Sequence, residues 1–137
     1  MTYLGSKEGV GWHNDSKSTT PHSVAAAVQG FENVILIVGG RNKGIDLSPL
    51  GDLKRYLKLV IAIGEASEEI QEIFASITPV SVARTMEEAV ELAESQSREG
   101  DSVILSPGCA SFDWYRNYSE RGDDFTKLVN EIVMEQA

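Results

Sequence analysis

Val103-Ile104-Leu105-Ser106-Pro107-Gly108-Cys109-Ala110-Ser111-Phe112-Asp113 decides how the rest of the chain is read. A short apolar run that ends in Ser-Pro-Gly is a buried strand opening into a loop. Small residues follow, so backbone N–H groups and the Ser111 hydroxyl can come close to a ligand. An aromatic and basic segment comes next, Trp114-Tyr115-Arg116-Asn117-Tyr118, then Glu120-Arg121-Gly122. Two earlier strand ends carry comparable polar loops, Asn14-Asp15-Ser16-Lys17-Ser18-Thr19 and Gly39-Gly40-Arg41-Asn42-Lys43-Gly44. In open α/β sheets ligands sit beyond the carboxyl ends of the strands. Three such loops therefore imply one shared site.

Working outward, strands and helices alternate. The glycine-rich opening predicts a hairpin or loop leading into a strand at Val10–His13. Thr20-Pro21 supplies an N-cap and a first-turn proline for a helix ended by Gly30. Asn33–Val38 is a continuous apolar run, the kind buried on both faces of a parallel sheet. Ser48-Pro49 repeats the cap-and-proline pattern for a helix to about Tyr56, followed by a strand at Leu57–Ile63. Ser67 is read as the cap of a helix to Ala75, and a short strand follows near Val80–Val82. Thr85-Met86-Glu87-Glu88 has the form of a capping box for a helix to Ser97. After the decisive strand come a helical turn near Asp113–Asn117 and an amphipathic helix at Asp123–Met134, with Leu128, Val129, Ile132 and Val133 inward. The expected fold is a single Rossmann-like α/β domain over residues 1–137, a mostly parallel sheet with helices on both faces.

Composition narrows the partners. A net charge of −9 argues against nucleic acid, which needs a basic face. Residues 65–101 carry ten acidic and two basic side chains, whereas residues 14–58 carry four acidic and six basic ones. The polar loops with Lys17, Arg41 and Lys43 thus lie in the positive part, where a cleft can hold a small anion. No apolar run is long enough to insert in a membrane. A lone cysteine, Cys109, excludes an internal disulfide and suits a reducing cytoplasm.

Most motifs fail the common enzymatic templates. Gly39–Gly44 lacks both the Gly-Lys-[Ser/Thr] ending of a P-loop and the spacing of a dinucleotide fold. Ser111 has no nucleophile-elbow setting, and His13 and His22 read as surface or loop residues with no evident acid partner. Cys109 reads as a small packed residue rather than a metal ligand. Asp15 suits a ribose hydroxyl and Lys17 a phosphate or carboxylate, while Lys43 suits an anion across the strand ends. Tyr118 is the aromatic best placed to meet a ligand.

Taken together, in this order and spacing, the three loops resemble the carboxy-terminal domain of the Mur ligases, within that family the members that add D-glutamate. The resemblance covers nearly the whole chain and carries expectations. It implies one domain of an ATP- and Mg2+-dependent ligase that joins D-glutamate to UDP-N-acetylmuramoyl-L-alanine through an acyl phosphate in peptidoglycan synthesis. The UDP-binding and central ATPase domains, with the metal ligands, are expected outside this chain, so the chain alone is expected to be inactive. Asp15 is implied to hold the ATP ribose, with Lys17 toward the phosphates. Thr19, Lys43 and Ser111 are implied to bind the carboxylates of D-glutamate, and Tyr118, often Phe in the family, to close the pocket. Arg41 stands where the family can have an acidic residue, and no role carries over to it. The competing reading of the same loops is a non-catalytic α/β module that captures a nucleotide or a small carboxylate.

Overall fold

In β3 (Val34–Gly39), every residue is buried, and the alternation of its side chains serves two cores at once. Ile35 and Ile37 point to one side of the sheet, while Val34, Leu36 and Val38 point to the other. The neighbouring β4 (Leu57–Ile63) and β6 (Ser102–Gly108) divide in the same way. Apolar runs without alternation are what a sheet covered on both faces requires. The computed structural model describes residues 1–42, 44–111 and 113–135.

The sheet has the order β1-β2-β6-β3-β4-β5. An antiparallel hairpin, β1 (Thr2–Lys7) and β2 (Val10–Asn14), forms one side, and β5 (Val80–Val82) forms the other edge. All pairings from β2 to β5 are parallel. On one face lie α3 (Met86–Gln96) and α4 (Tyr118–Glu135), which bury Met86, Ala89, Val90, Ala93, Phe125 and Val129. The opposite face is covered by α1 (Pro21–Val28), a 3-10 helix (Ser48–Tyr56) and α2 (Ser67–Phe74). The expected α/β architecture with helices on both faces is the one observed.

Local chemistry explains the boundaries, including those that differ from expectation. Thr20 caps α1 by accepting from the Ser23 N–H at 3.2 Å, with Pro21 in the first turn. The segment after Ser48 is a 3-10 helix rather than an α-helix, and Leu47 rather than Ser48 precedes it. The buried Leu47 just before it and Leu50 and Leu53 within it recur every three positions, the spacing that shares one face at three residues per turn. Ser67 does not cap α2 either: it is the first helical residue, and its hydroxyl donates to the Gly64 carbonyl. Thr85 does accept from the Glu88 N–H at 3.1 Å, the forward half of a capping box.

Two larger differences lie near the strand ends. Ser106-Pro107-Gly108 continues β6 instead of opening into a loop. Helix α4 begins at Tyr118, five residues before the expected start, because the Asn117 side chain accepts from the Glu120 N–H at 2.8 Å. Asn117-Tyr118-Ser119-Glu120 is an N-cap signal that the following glycine obscured. Residues 113–117 form turns and bends. His13 is a buried residue of β2, packed between the rings of Tyr3 and Phe31, and not a surface residue.

Candidate functional site

Strands β2, β6 and β3 are adjacent and parallel, so their carboxyl ends open on the same edge of the sheet. The three polar loops are therefore neighbours, and hydrogen bonds tie them together. After β2, the Asp15 N–H donates to the Leu105 carbonyl of β6 at 2.7 Å. The Asn14 side chain accepts from the Ser16 N–H, and the Ser18 N–H donates to the Asp15 carbonyl, which folds the chain into a tight turn. The Ser18 carbonyl then accepts from the Gly108 N–H at the end of β6. Between the other two loops, Arg41 and Ala110 exchange backbone hydrogen bonds at 2.9 and 3.1 Å.

Glycine permits the closest crossing. Gly40 has φ +134°, and a Cβ there would lie 2.4 Å from the Ala110 carbonyl oxygen and 3.2 Å from Arg121 Nη1. Only a residue without a side chain lets the loops after β3 and β6 approach this closely. The loop after β4 joins them: the Asp113 carboxylate accepts from the Glu65 N–H at 2.9 Å.

Asp15 is held by Ser106, whose hydroxyl donates to Oδ2 at 3.0 Å. The Met1 nitrogen lies 3.8 Å from Oδ1. Asp15 and Lys17 line two clefts, one on each side of the turn. The first, about 500 Å³, runs toward α1 past Ser18, His22 and Ser23. The second, about 240 Å³, runs toward the start of α4 past Ser16 and Tyr118. Tyr118, 42% exposed, is the first residue of α4. Thr19 is half-buried beside the turn, and Ser111 is buried past the end of β6. Among the described residues, the side chains of Lys17, Thr19, Ser111 and Tyr118 have no hydrogen-bond partner in the protein. Lys43, expected to bind an anion here, lies outside the described residues, as does Phe112. Arg41 is committed elsewhere, paired in two bonds with the exposed carboxylate of Glu65.

Arg121 is a functional candidate that the sequence pattern does not single out. Its side chain is 1% exposed and donates from Nε to the Ser16 hydroxyl, from Nη2 to the Ser16 carbonyl and from Nη1 to the Cys109 carbonyl. Burial pushes its guanidinium down to about 10, which leaves it charged at neutral pH; the Asp113 charge opposes that shift. An arginine in the first turn of an amphipathic helix, four residues before Phe125 and so in line with its buried stripe, is the signal that could have marked it. Gly122 beside it brings α4 against the β2 turn, since a Cβ there would sit 3.0 Å from Asn14 Nδ2. Cys109 is packed, as expected, and burial pushes its thiol up to about 12, far from a reactive thiolate. A separate cleft of about 380 Å³ between α3 and α4, past Arg84, Met86 and Trp114, contains none of these residues. Among the described residues, no three His, Cys, Asp or Glu side chains converge as a metal site would require.

Comparison with known proteins gives a consistent answer. A model of the family described as "Mur ligase, glutamate ligase domain" matches residues 1–109. The UDP-N-acetylmuramoylalanine–D-glutamate ligase of Chlamydia caviae is 47% identical over 134 residues, covering 96% of this chain and 32% of that protein. The protein of the same name from Aquifex aeolicus is 46% identical over 132 residues, covering 94% and 32%. The chain thus spans about a third of the length of these relatives. Among solved structures, a ligase domain from Haemophilus ducreyi has a TM-score of 0.59 at 12% identity, covering 99% of this chain and 98% of that one. The UDP-N-acetylmuramate–alanine ligase MurC of Thermotoga maritima has a TM-score of 0.57 at 10% identity, covering 93% and 28%. At those identities the likeness is one of fold.

Proposed function

Because this chain belongs to the Mur ligase family, as its carboxy-terminal domain, we propose that residues 1–137 serve a cytoplasmic, ATP-dependent ligase that adds D-glutamate to UDP-N-acetylmuramoyl-L-alanine in peptidoglycan synthesis. One observation carries the choice of D-glutamate: relatives named for that reaction are 42–47% identical across nearly the entire chain. The geometry supports it, because the strand-end edge collects the hydroxyl and ammonium groups of Lys17, Thr19, Ser111 and Tyr118, which have no hydrogen-bond partner among the described residues. Among the described residues, no helix is long and apolar enough to cross a membrane.

In this reading each loop positions one part of the reaction. The Asp15 carboxylate, steadied by Ser106, keeps lone pairs free to accept from the ribose hydroxyls of ATP. Lys17, exposed beside it, meets the phosphates. When bound, ATP supplies the phosphoryl group that activates the muramoyl-alanine carboxyl as an acyl phosphate. Mg2+ accompanies the nucleotide, and its ligands belong to the remainder of the ligase. Thr19, Ser111 and Lys43 bind the two carboxylates of D-glutamate, which orients its amine toward the activated carboxyl carbon. Tyr118 closes that pocket and limits water, whose attack would waste the activated carboxyl. The contribution of the domain is therefore positioning and shielding. Movement of the domain toward the ATPase would complete the site.

In the full-length ligase, Lys43→Ala should raise KM for D-glutamate and lower turnover. A charge-assisted contact worth about 1.5–3 kcal/mol sets the combined loss at roughly ten- to a hundredfold. Unchanged D-glutamate kinetics in a normally folded variant would remove Lys43 from the site. The isolated chain should bind ATP or D-glutamate only in the millimolar range, about −4 kcal/mol, and release no phosphate from ATP with Mg2+, D-glutamate and UDP-N-acetylmuramoyl-L-alanine. Phosphate release that copurifies with the chain would show that the site is complete within it, against this reading.

A further inference from the structure

We propose that Arg121 is a positioning residue that fixes the nucleotide-binding turn and the D-glutamate-binding loop at one mutual spacing, a proposal that rests on the ligase reading above. It acts through Ser16 and Cys109 and touches neither ligand.

Three features of its surroundings carry this. First, its donors divide between two loops. Nε and Nη2 engage the Ser16 hydroxyl and carbonyl at 2.9 and 2.8 Å, and Nη1 engages the Cys109 carbonyl at 3.1 Å. Ser16 lies between Asp15 and Lys17, and Cys109 lies two residues before Ser111. A displacement of the planar guanidinium therefore shifts both halves of the site, because its donors form a rigid fork. Second, the third loop passes close to the same group, since a Cβ at Gly40 would lie 3.2 Å from Nη1. Third, the Ser16 hydroxyl passes the connection on by donating to the Tyr118 carbonyl at 2.7 Å, so the pocket-closing residue hangs from the same brace.

The guanidinium is also uneconomical as mere packing. It is buried and, among the described residues, forms no ion pair within 4 Å; its hydrogen bonds go to neutral oxygens, and the Asp113 charge acts on it only from farther off. A buried charge without an ion partner is costly, and an apolar side chain of similar volume would fill the space with less desolvation. What the apolar side chain would lack is directional donors to two loops at once.

The test uses Ser16→Ala, Arg121→Lys and Arg121→Met. In the ligase, well below the unfolding temperature, Ser16→Ala and Arg121→Lys should raise KM for ATP and for D-glutamate together, by roughly tenfold. Arg121→Met should do more, with Arg121→Lys restoring part of the loss. Wild-type values of both KM in Ser16→Ala and Arg121→Lys, even with lowered unfolding midpoints, would make Arg121 structural only and overturn the proposal. So would a rise confined to one substrate. A second measurement on this chain needs no activity: amide exchange at Ser18, Gly108 and Ala110 should accelerate together in Ser16→Ala and Arg121→Lys while the core of β3 stays protected. Unchanged exchange at those amides, or acceleration at one loop alone, would refute the brace. A ligase that leaves D-glutamate unconsumed would instead sink the functional reading, and the exchange data would still judge the brace.

Discussion

Gly39 has φ +132°, and a Cβ there would lie 2.1 Å from the carbonyl oxygen of Ile63, a backbone atom of β4 that cannot retreat. Gly39→Ala should cost about 3 kcal/mol in urea unfolding, whereas Gly30→Ala, with open space around it and no positive φ, should cost nothing measurable. Ser18 offers the opposite sign. Its hydroxyl is buried and unpaired among the described residues, so Ser18→Ala should raise stability by about 1 kcal/mol, read from the urea midpoint. His13 makes stability depend on pH. Burial holds its imidazole below the ordinary 6.5, so as pH falls the unfolded chain takes up the proton first. This contribution is complete above about 6.5 and is lost below it. Urea midpoints should fall between about pH 7.5 and about pH 5.5, and His13→Gln, which cannot titrate, should flatten that fall. The strand-end loops that carry Asp15, Lys17, Thr19 and Ser111 were legible in the sequence, because each follows a parallel strand; of the proposed residues that the structure describes, Asp15, Lys17 and Tyr118 share a cleft, and Thr19 and Ser111 do not line it. The role of Arg121 was not legible, since it depends on which carbonyls turn inward, and no residue pattern records that.

Elements announced themselves where the local signal and the packing agreed. The N-cap of α3 was one such case, and Thr85→Ala should destabilise the chain by about 1 kcal/mol while Thr85→Ser preserves it, as equilibrium unfolding would record. Strands β3 and β4 were plain from their apolar runs for the same reason. Disagreement arose where tertiary contact outweighed local preference. The leucines at 47, 50 and 53 chose three residues per turn because that spacing faces all of them to α1 and α2. Helix α4 runs through Gly122 despite glycine's low helix propensity, because the missing side chain admits the β2 turn. Ser106-Pro107-Gly108 remains in the sheet although proline cannot donate to a ladder; β6 is already losing its regular pairing with β3 there.

At the scale of the whole molecule, the charge pattern has a geometric meaning. The acidic stretch from residue 65 to 101 reaches the strand-end loops, where Glu65 pairs with Arg41 and Glu69 accepts from Asn42, while Lys54, Arg55 and Lys58 lie at the amino end of β4. Away from those loops, Lys58 pairs with Asp101, which also accepts from the Arg98 N–H and so ties the start of β4 to the turn before β6. The strand order carries a further consequence for a chain made from its amino terminus. β6 is the last strand to leave the ribosome, yet it fills the place between β2 and β3. Until it arrives, the hairpin and the β3–β4–β5 sheet have no strand in common, and each shows an unpaired apolar edge. Such edges are prone to pairing with other chains, and the long sequence separation of β2 and β6 slows their closure. A polypeptide stopped after Gly100 should therefore show no cooperative unfolding transition and should aggregate. One extended through Val129 should regain the transition, because it restores the missing strand and the helix residues that cover it. The decisive stretch is also the last to be synthesised of the six described strands, so synthesis itself holds the strand-end loops apart until β6 has been made.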